Sequence, residues 1–256
     1  MTDLACFLIN LDRSTDRLDL ATEEIKKLGR TFERISAVDG RLLDLDQYPA
    51  YSKAAALSYF GRELFPGEVA CFQSHINALR QFLASDAKCA LVLEDDFVVN
   101  PGGASAIEEL LSRLDEASLD GWGYIDLGTP PHKLYTRVFD LGGDDGNQLC
   151  RSHYFSFGAH AILWSRSGAE SALNAYLPMN APYDLFLRAW NAQRDAGYAL
   201  LHPPIGVTGL DSDIEAVTNR AHPQRRWSRI RRRMVEKPLV YWNMAKFRLK
   251  RLLAGN

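Results

Sequence analysis

Apolar positions fall along the chain in two alternating rhythms. Residues 4–11 form a short continuous apolar run that ends in polar residues, the mark of a buried strand. Leu18, Ile25 and Leu28 then recur at helical spacing between Ser14-Thr15, which can cap a helix, and Gly29, which can close one. Residues 32–38 predict a second strand, turned by Asp39-Gly40. Residues 41–66 lack a clear period and predict an irregular connection with a short helix near 53–60. A helix is expected from Glu68 to about Ser85, and a strongly apolar strand over 89–93. Further helices are expected over 103–115, 165–176 and 182–196, the last opened by Pro182. Strands are expected over 124–127, 157–164 and 198–201. Residues 130–148 read as loop-rich, with Gly142-Gly143-Asp144-Asp145-Gly146 as a hairpin or mobile segment.

Strands alternating with helices predict an α/β fold, a mostly parallel sheet flanked by helices on both faces. Ligands in such sheets sit outside the carboxyl ends of the strands. That rule directs attention to residues 10–17, Asp39, residues 94–96 and Gly128.

Glu94-Asp95-Asp96, directly after the apolar Leu91-Val92-Leu93, is the sharpest feature. Three adjacent carboxylates repel one another, and a dry site holds them all ionised only with a cation. Alternate residues of an extended chain point the same way, so Glu94 and Asp96 share a face. Two hard oxygen donors there suit Mg²⁺ or Mn²⁺. A solvated acidic turn is the plainer alternative. Arg13 and Arg17, at the start of the first helix, form a candidate anion site for phosphate oxygens; a capped helix with a surface ion pair is the alternative. No G-x-G-x-x-G or Walker-type loop is present, so dinucleotide and P-loop binding are unsupported. Ser74 and His75 are neighbours on a predicted helix and cannot face each other, which excludes a Ser/His nucleophile pair. Asp184 starts a predicted helix, where an acid is favoured by the helix dipole whatever else it does.

Composition adds little until charge is mapped. With 46% hydrophobic residues over 256 positions, the chain has ample material for a core and is neither disordered nor low in complexity. No apolar run approaches a membrane span, and Met1-Thr2-Asp3-Leu4 lacks the basic start of a signal peptide. Four scattered cysteines without a C-x-x-C pair suggest free thiols in a reducing cytoplasm rather than a zinc or redox motif. Between Arg220 and Arg251 there are 12 Lys/Arg and one acid, Glu236, leaving 18 basic against 31 acidic residues before them. The chain thus divides into a body, residues 1–219, and a basic amphipathic tail, residues 220–256. The tail interleaves Arg and Lys with aromatic and aliphatic residues, a pattern for an anionic membrane surface. Nucleic-acid binding and packing against the acidic body are the competing readings; no nucleic acid is expected.

The ordered series Ile9-Asn10-Leu11-Asp12-Arg13 with Asp16-Arg17, Phe32-Glu33-Arg34, Ala37-Val38-Asp39-Gly40, Gly67-Glu68, Cys71, Ser74-His75 and Leu91 to Asp96 resembles glycosyltransferase family 25. That family comprises bacterial lipooligosaccharide galactosyltransferases and related collagen galactosyltransferases. Gly158-Ala159-His160-Ala161-Ile162, Ser165 to Ala169, Asp184, Pro203-Pro204 and Ser212-Asp213-Ile214 continue the series, which covers about residues 4–214. The resemblance implies a GT-A-type nucleotide-sugar-binding fold. It implies an inverting, metal-assisted transfer of a hexose, usually galactose, from a UDP-sugar to a glycan or glycolipid acceptor such as lipopolysaccharide. On that resemblance Glu94 and Asp96 would hold Mn²⁺ or Mg²⁺. Asn10, Arg13, Arg17, Asp39, Ser74, His75 and Asp95 would line the donor, with Asp39 at the uracil, and Asp184 would be the general base. A cytoplasmic enzyme, peripheral on the inner face of the membrane, follows as the expected location. The alternatives are a non-catalytic glycan or nucleotide-sugar binding protein and a metal-dependent phosphotransferase.

Overall fold

The computed structural model describes residues 3–116, 119, 121–142, 146–209 and 223–254. Its strands are β1 Leu4–Asn10, β2 Glu33–Ser36, β3 Cys89–Glu94, β4 Phe97–Val99, β5 Tyr124–Asp126, β6 Tyr135–Gly142, β7 Asn147–Ser152, β8 Ala161–Ser165, β9 Gly197–Leu200 and β10 Ile205–Val207. Its helices are α1 Thr15–Lys27, α2 Lys53–Tyr59, α3 Pro66–Ala84, α4 Gly103–Glu116, α5 Arg166–Leu173, α6 Tyr183–Arg194 and α7 Pro223–Leu253. Eight strands form one sheet in the order β2-β1-β3-β8-β5-β9-β7-β6, and β4 pairs with β10 in a separate ribbon. Six of the eight run in one direction; β8 and β7 run against them. The expected α/β architecture, mostly parallel with flanking helices, is what the chain adopts.

The period-2 alternation of the central strands builds two cores. Phe7 and Ile9 of β1 and Ala90 and Val92 of β3 point to one face, where α2, α3, α5 and α6 cover them. Cys6, Leu8, Leu91 and Leu93 point to the other, beneath α1 and α4. In α1 Ala21 and Ile25 are buried, as is Leu28 at its C-terminal cap, with Leu18 packed at the margin. Each fully buried apolar side chain contributes roughly 1.5–3 kcal/mol, so both faces of the sheet are firmly covered. Cys6, Cys71 and Cys150 carry free thiols.

Several sequence expectations need correction. Residues 130–148, expected as loop, contain β6 and the start of β7, an antiparallel pair at the sheet margin. The apolar signal there is weak because β6 is mostly half-exposed. The expected hairpin at Gly142–Gly146 is flanked by this pair, and its central residues 143–145 lie outside the described residues. The strand expected over 157–164 begins only at Ala161. The ribbon of β4 and β10 was not expected: three residues each are too short to carry a period.

The boundary expected at 219/220 falls among residues 210–222, outside the described ones. The basic segment beyond it is the long helix α7, lying on the body against α2, α6 and β6. Val240 is fully buried, Asn243 donates to the Ala192 carbonyl (2.9 Å), and Arg248 donates to Thr136 Oγ1 (3.1 Å). No helix among the described residues is long and apolar enough to cross a membrane.

One buried acid leaves a pH signature. Burial pushes the Asp126 carboxyl, at the end of β5, up to about 7, despite amide donors at Gly128 (2.9 Å) and Thr129 (2.8 Å). The folded protein therefore holds this proton more tightly than the unfolded chain. Its contribution to stability is complete below about pH 4 and is lost as pH rises through about 7. In Asp126→Asn, whose amide can keep the same partners, that loss, roughly 2–4 kcal/mol, should disappear. Denaturant midpoints of variant and wild type between pH 5 and 8 check it, and an equal decline in both would contradict it.

Candidate active site

Parallel pairing fixes what meets at the carboxyl edge of the sheet. Asn10 lies beside Ser36, and Ile9 lies beside Glu94, so β1, β2 and β3 end together. Their following loops and the first turns of α3 surround a cavity of about 370 Å³. Nine of the ten residues singled out in the sequence line it: Asn10, Arg13, Arg17, Asp39, Ser74, His75, Glu94, Asp95 and Asp96.

The three carboxylates are met by their surroundings in three different ways, and one of them only in part. Burial pushes Glu94 up, but the hydrogen bond and charge of His75 (Nε2 to Oε1, 2.9 Å) outweigh it, and Glu94 sits below its ordinary value. His75 is buried and stacks on Tyr183 with ring centroids 4.2 Å apart, so it is held as a partner for Glu94. Asp95 is tied by Arg17 (2.5 Å) and by Asn10 Nδ2 (2.7 Å). Asp96 is left with a long approach from Arg17 (3.5 Å), and its Oδ1 is buried with no hydrogen-bond partner. Burial, then the charge of Glu94, raise its carboxyl to about 6. An under-neutralised carboxylate beside a second one, with an orphaned oxygen, fits a divalent cation, and Glu94 and Asp96 are the residues that would hold it.

The other residues shape the cavity. Asn10 also donates to the Ser14 carbonyl (3.0 Å) and accepts from Arg34 Nε (3.1 Å), joining β1, α1 and β2. Ser74 accepts from the Val38 amide (2.9 Å) and donates to the Ala70 carbonyl (2.7 Å). Its role is to pin the loop after β2 onto α3. Asp39 is gripped by Arg41 and by Arg13 (2.5 Å); the Arg41 hydrogen bond holds it well below the usual carboxylate range.

Sequence reasoning missed part of this wall. A Cβ on Gly40 would come within 2.8 Å of the Gly67 backbone, so the turn after β2 touches the start of α3 only because Gly40 has no side chain. Cys71 was noted for its place in a motif but not as a site residue. It lies one helical turn before His75, and Cys71, His75 and Glu94 present donor atoms within 4.8 Å of one another. Burial, then the charge of Glu94, push the Cys71 thiol far up, which keeps it neutral. The available signal was the i, i+4 spacing of Cys71 and His75.

Asp184 does not share this cavity. It opens α6 and lines a neighbouring one of about 470 Å³ with Phe60, Glu68, Phe157, Arg188 and, from α7, Arg229 and Arg233. Burial raises the Asp184 carboxyl, against the hydrogen bond from the Leu185 amide (2.8 Å). The two cavities meet at α3: Glu68 faces the second, Cys71 and His75 the first, and Tyr183, the residue before Asp184, stacks on His75.

Comparison with known proteins adds the following. The family model described as Glycosyltransferase family 25 (LPS biosynthesis protein) matches residues 3–128. Procollagen galactosyltransferase 1-B of Xenopus laevis is 30% identical over 190 residues, 71% of this chain and 30% of that protein. Procollagen galactosyltransferase 2 of Homo sapiens is 29% identical over 233 residues, 83% of this chain and 37% of that one. The chain thus spans about a third of the length of these curated relatives. Among solved structures, a glycosyltransferase involved in the glycosylation of the major capsid of PBCV-1 aligns over 89% of this chain and 98% of that one, at 10% identity and a TM-score of 0.38.

The strain at Asp96 generates a test. Asp96→Asn should raise the stability of the metal-free protein at neutral pH by on the order of 1–2 kcal/mol, because it removes a poorly neutralised charge. The same change should abolish any rise in melting temperature on adding Mn²⁺. A variant that melts lower than wild type yet still responds to Mn²⁺ would contradict the cation assignment.

Proposed function

We propose that this chain, which belongs to glycosyltransferase family 25, moves a hexosyl group from a nucleotide sugar to a hydroxyl of a glycan acceptor by single displacement. UDP-galactose is the donor we favour, in keeping with the names of the galactosyltransferase relatives. The observation that carries the reading is the cavity at the carboxyl edge of the sheet, where Arg13 and Arg17 stand beside Glu94, Asp95 and Asp96. Basic groups next to a carboxylate cluster suit a diphosphate and the cation that accompanies it.

The nucleotide would enter between the loop after β2 and the start of α3, where Asp39, Gly40 and Gly67 form the wall. Arg13 and Arg17 would face the diphosphate oxygens and stabilise the charge that develops there as the sugar leaves. Glu94 and Asp96 are the candidate ligands of Mn²⁺ or Mg²⁺, which when bound supplies Lewis-acid stabilisation of the departing diphosphate. His75 orients Glu94, and Asn10 orients Asp95.

The acceptor belongs on the Asp184 side. Asp184 would take the proton of the attacking hydroxyl while the acceptor oxygen bonds to the anomeric carbon and the bond to the diphosphate breaks, with inversion. A carboxyl raised by burial is a better matched base near neutrality than an exposed one. Exposed Phe157 beside it offers an apolar face for a sugar ring.

Asp184→Asn should bind the donor as wild type does and lose at least ~100-fold in kcat. Isothermal titration with nucleotide sugars, with and without Mn²⁺, alongside a turnover assay, separates the two effects. Wild-type turnover in the variant would remove Asp184 from the base role. Failure of UDP-, GDP- and CMP-sugars alike to bind wild type would overturn the donor reading.

A further inference from the structure

Helix α7 has two faces, and the body uses only one. Arg232 donates to the Tyr59 carbonyl (2.6 Å), Glu236 accepts from the Tyr59 hydroxyl (3.1 Å), Val240 is buried, and the Phe247 ring meets His153. These residues mark the inner side. At 3.6 residues per turn, Trp227, Met234, Val235, Trp242, Leu249 and Leu252 fall within an arc of about 100° on the opposite side. Their relative exposures run from 58% to 76%. The helix therefore carries an apolar stripe, interrupted by Arg231, turned away from the protein that holds it.

We propose that the outward face of α7 docks on the surface of an anionic lipid bilayer. Charge selects this occupant. Between Trp227 and Ala254 there are nine Lys/Arg and one acid, and that acid, Glu236, is turned inward onto Tyr59. Lys237 and Lys246 border the stripe on its two sides, Arg231 lies within it, and all three are exposed. Long basic side chains can extend to lipid phosphates while the apolar groups and indole rings enter the interface. A second copy of the chain fits less well, because symmetric pairing of two such stripes would bring basic borders against basic borders. A nucleic acid would use the basic groups but leave Met234, Val235 and Leu249 without an apolar partner. The helix lies on the bilayer rather than in it, since none among the described residues can span one.

A corollary rests on the function proposed above. Arg229 and Arg233 of the same helix line the Asp184 cavity, so docking brings that cavity close to the headgroups. An acceptor glycan anchored in the same bilayer would meet it there. Lipid binding itself does not depend on that function.

The test is co-sedimentation of the full chain with phosphatidylcholine vesicles, with and without phosphatidylglycerol. The wild type should pellet with the anionic vesicles only, and less as salt is raised. Trp242→Glu combined with Leu249→Glu, both at exposed positions, should keep the wild-type melting temperature and nucleotide-sugar binding but lose at least ~10-fold in lipid affinity. Asp184→Asn should bind vesicles as wild type does, which separates this inference from the acceptor reading. Equal pelleting of double variant and wild type, or none with anionic vesicles, would overturn it. So would a dimer dissociated by the double substitution in a chain that ignores lipid, or duplex DNA held more tightly than vesicles.

Discussion

Three carboxylates in succession at the end of a buried strand are the constraint around which the carboxyl edge is organised. Two like charges about 5 Å apart in a half-buried site repel by roughly 3 kcal/mol, so the surrounding chain has to answer each of them. Arg17 comes from α1, Asn10 from β1 and His75 from α3, and the parallel register of β1 with β3 is what brings them to one place. The answer is incomplete at Asp96, which lines a cavity bordered by guanidinium groups and keeps one buried oxygen without a partner. A site that satisfied itself would have nothing left to offer a ligand.

Helix α3 divides the functional surface. Ser74 fixes the loop after β2, His75 and Cys71 line the carboxylate side, and Glu68 lines the side of Asp184. The stacked pair of His75 and Tyr183 links α3 to α6 at the boundary. A shift of α6 would therefore be felt at Glu94 through one aromatic contact and one hydrogen bond.

The central strands and the carboxylate edge were legible in the sequence because one local rule governs each. Period-2 alternation sets the two faces of β1 and β3, and the strand-end rule identifies Asn10, Asp39 and Glu94 to Asp96 before any coordinates are known. What escaped depends on contacts between distant segments. Gly40 is meaningful only against Gly67, Cys71 only against Glu94, and β6 is a strand because β7 pairs with it. Asp184 was expected as the general base, and that it opens onto a cavity of its own could not be read, since spacing along the chain says nothing about which side of α3 a helix start will face. Of the tail, amphipathicity was readable and packing on the body was among its competing readings; which side of the helix packs was not readable.

The division at α3 is also a division along the chain. Every residue of the carboxylate-lined cavity lies between Ile9 and Asp96, inside the stretch that matches the family model. The cavity around Asp184 takes ten of its twelve lining residues from beyond residue 128. The two walls are thus drawn from largely separate stretches of the chain, joined at the His75–Tyr183 contact. On the proposed assignment of donor and acceptor to the two cavities, changes confined to the late segments would alter the acceptor while leaving the donor wall in place.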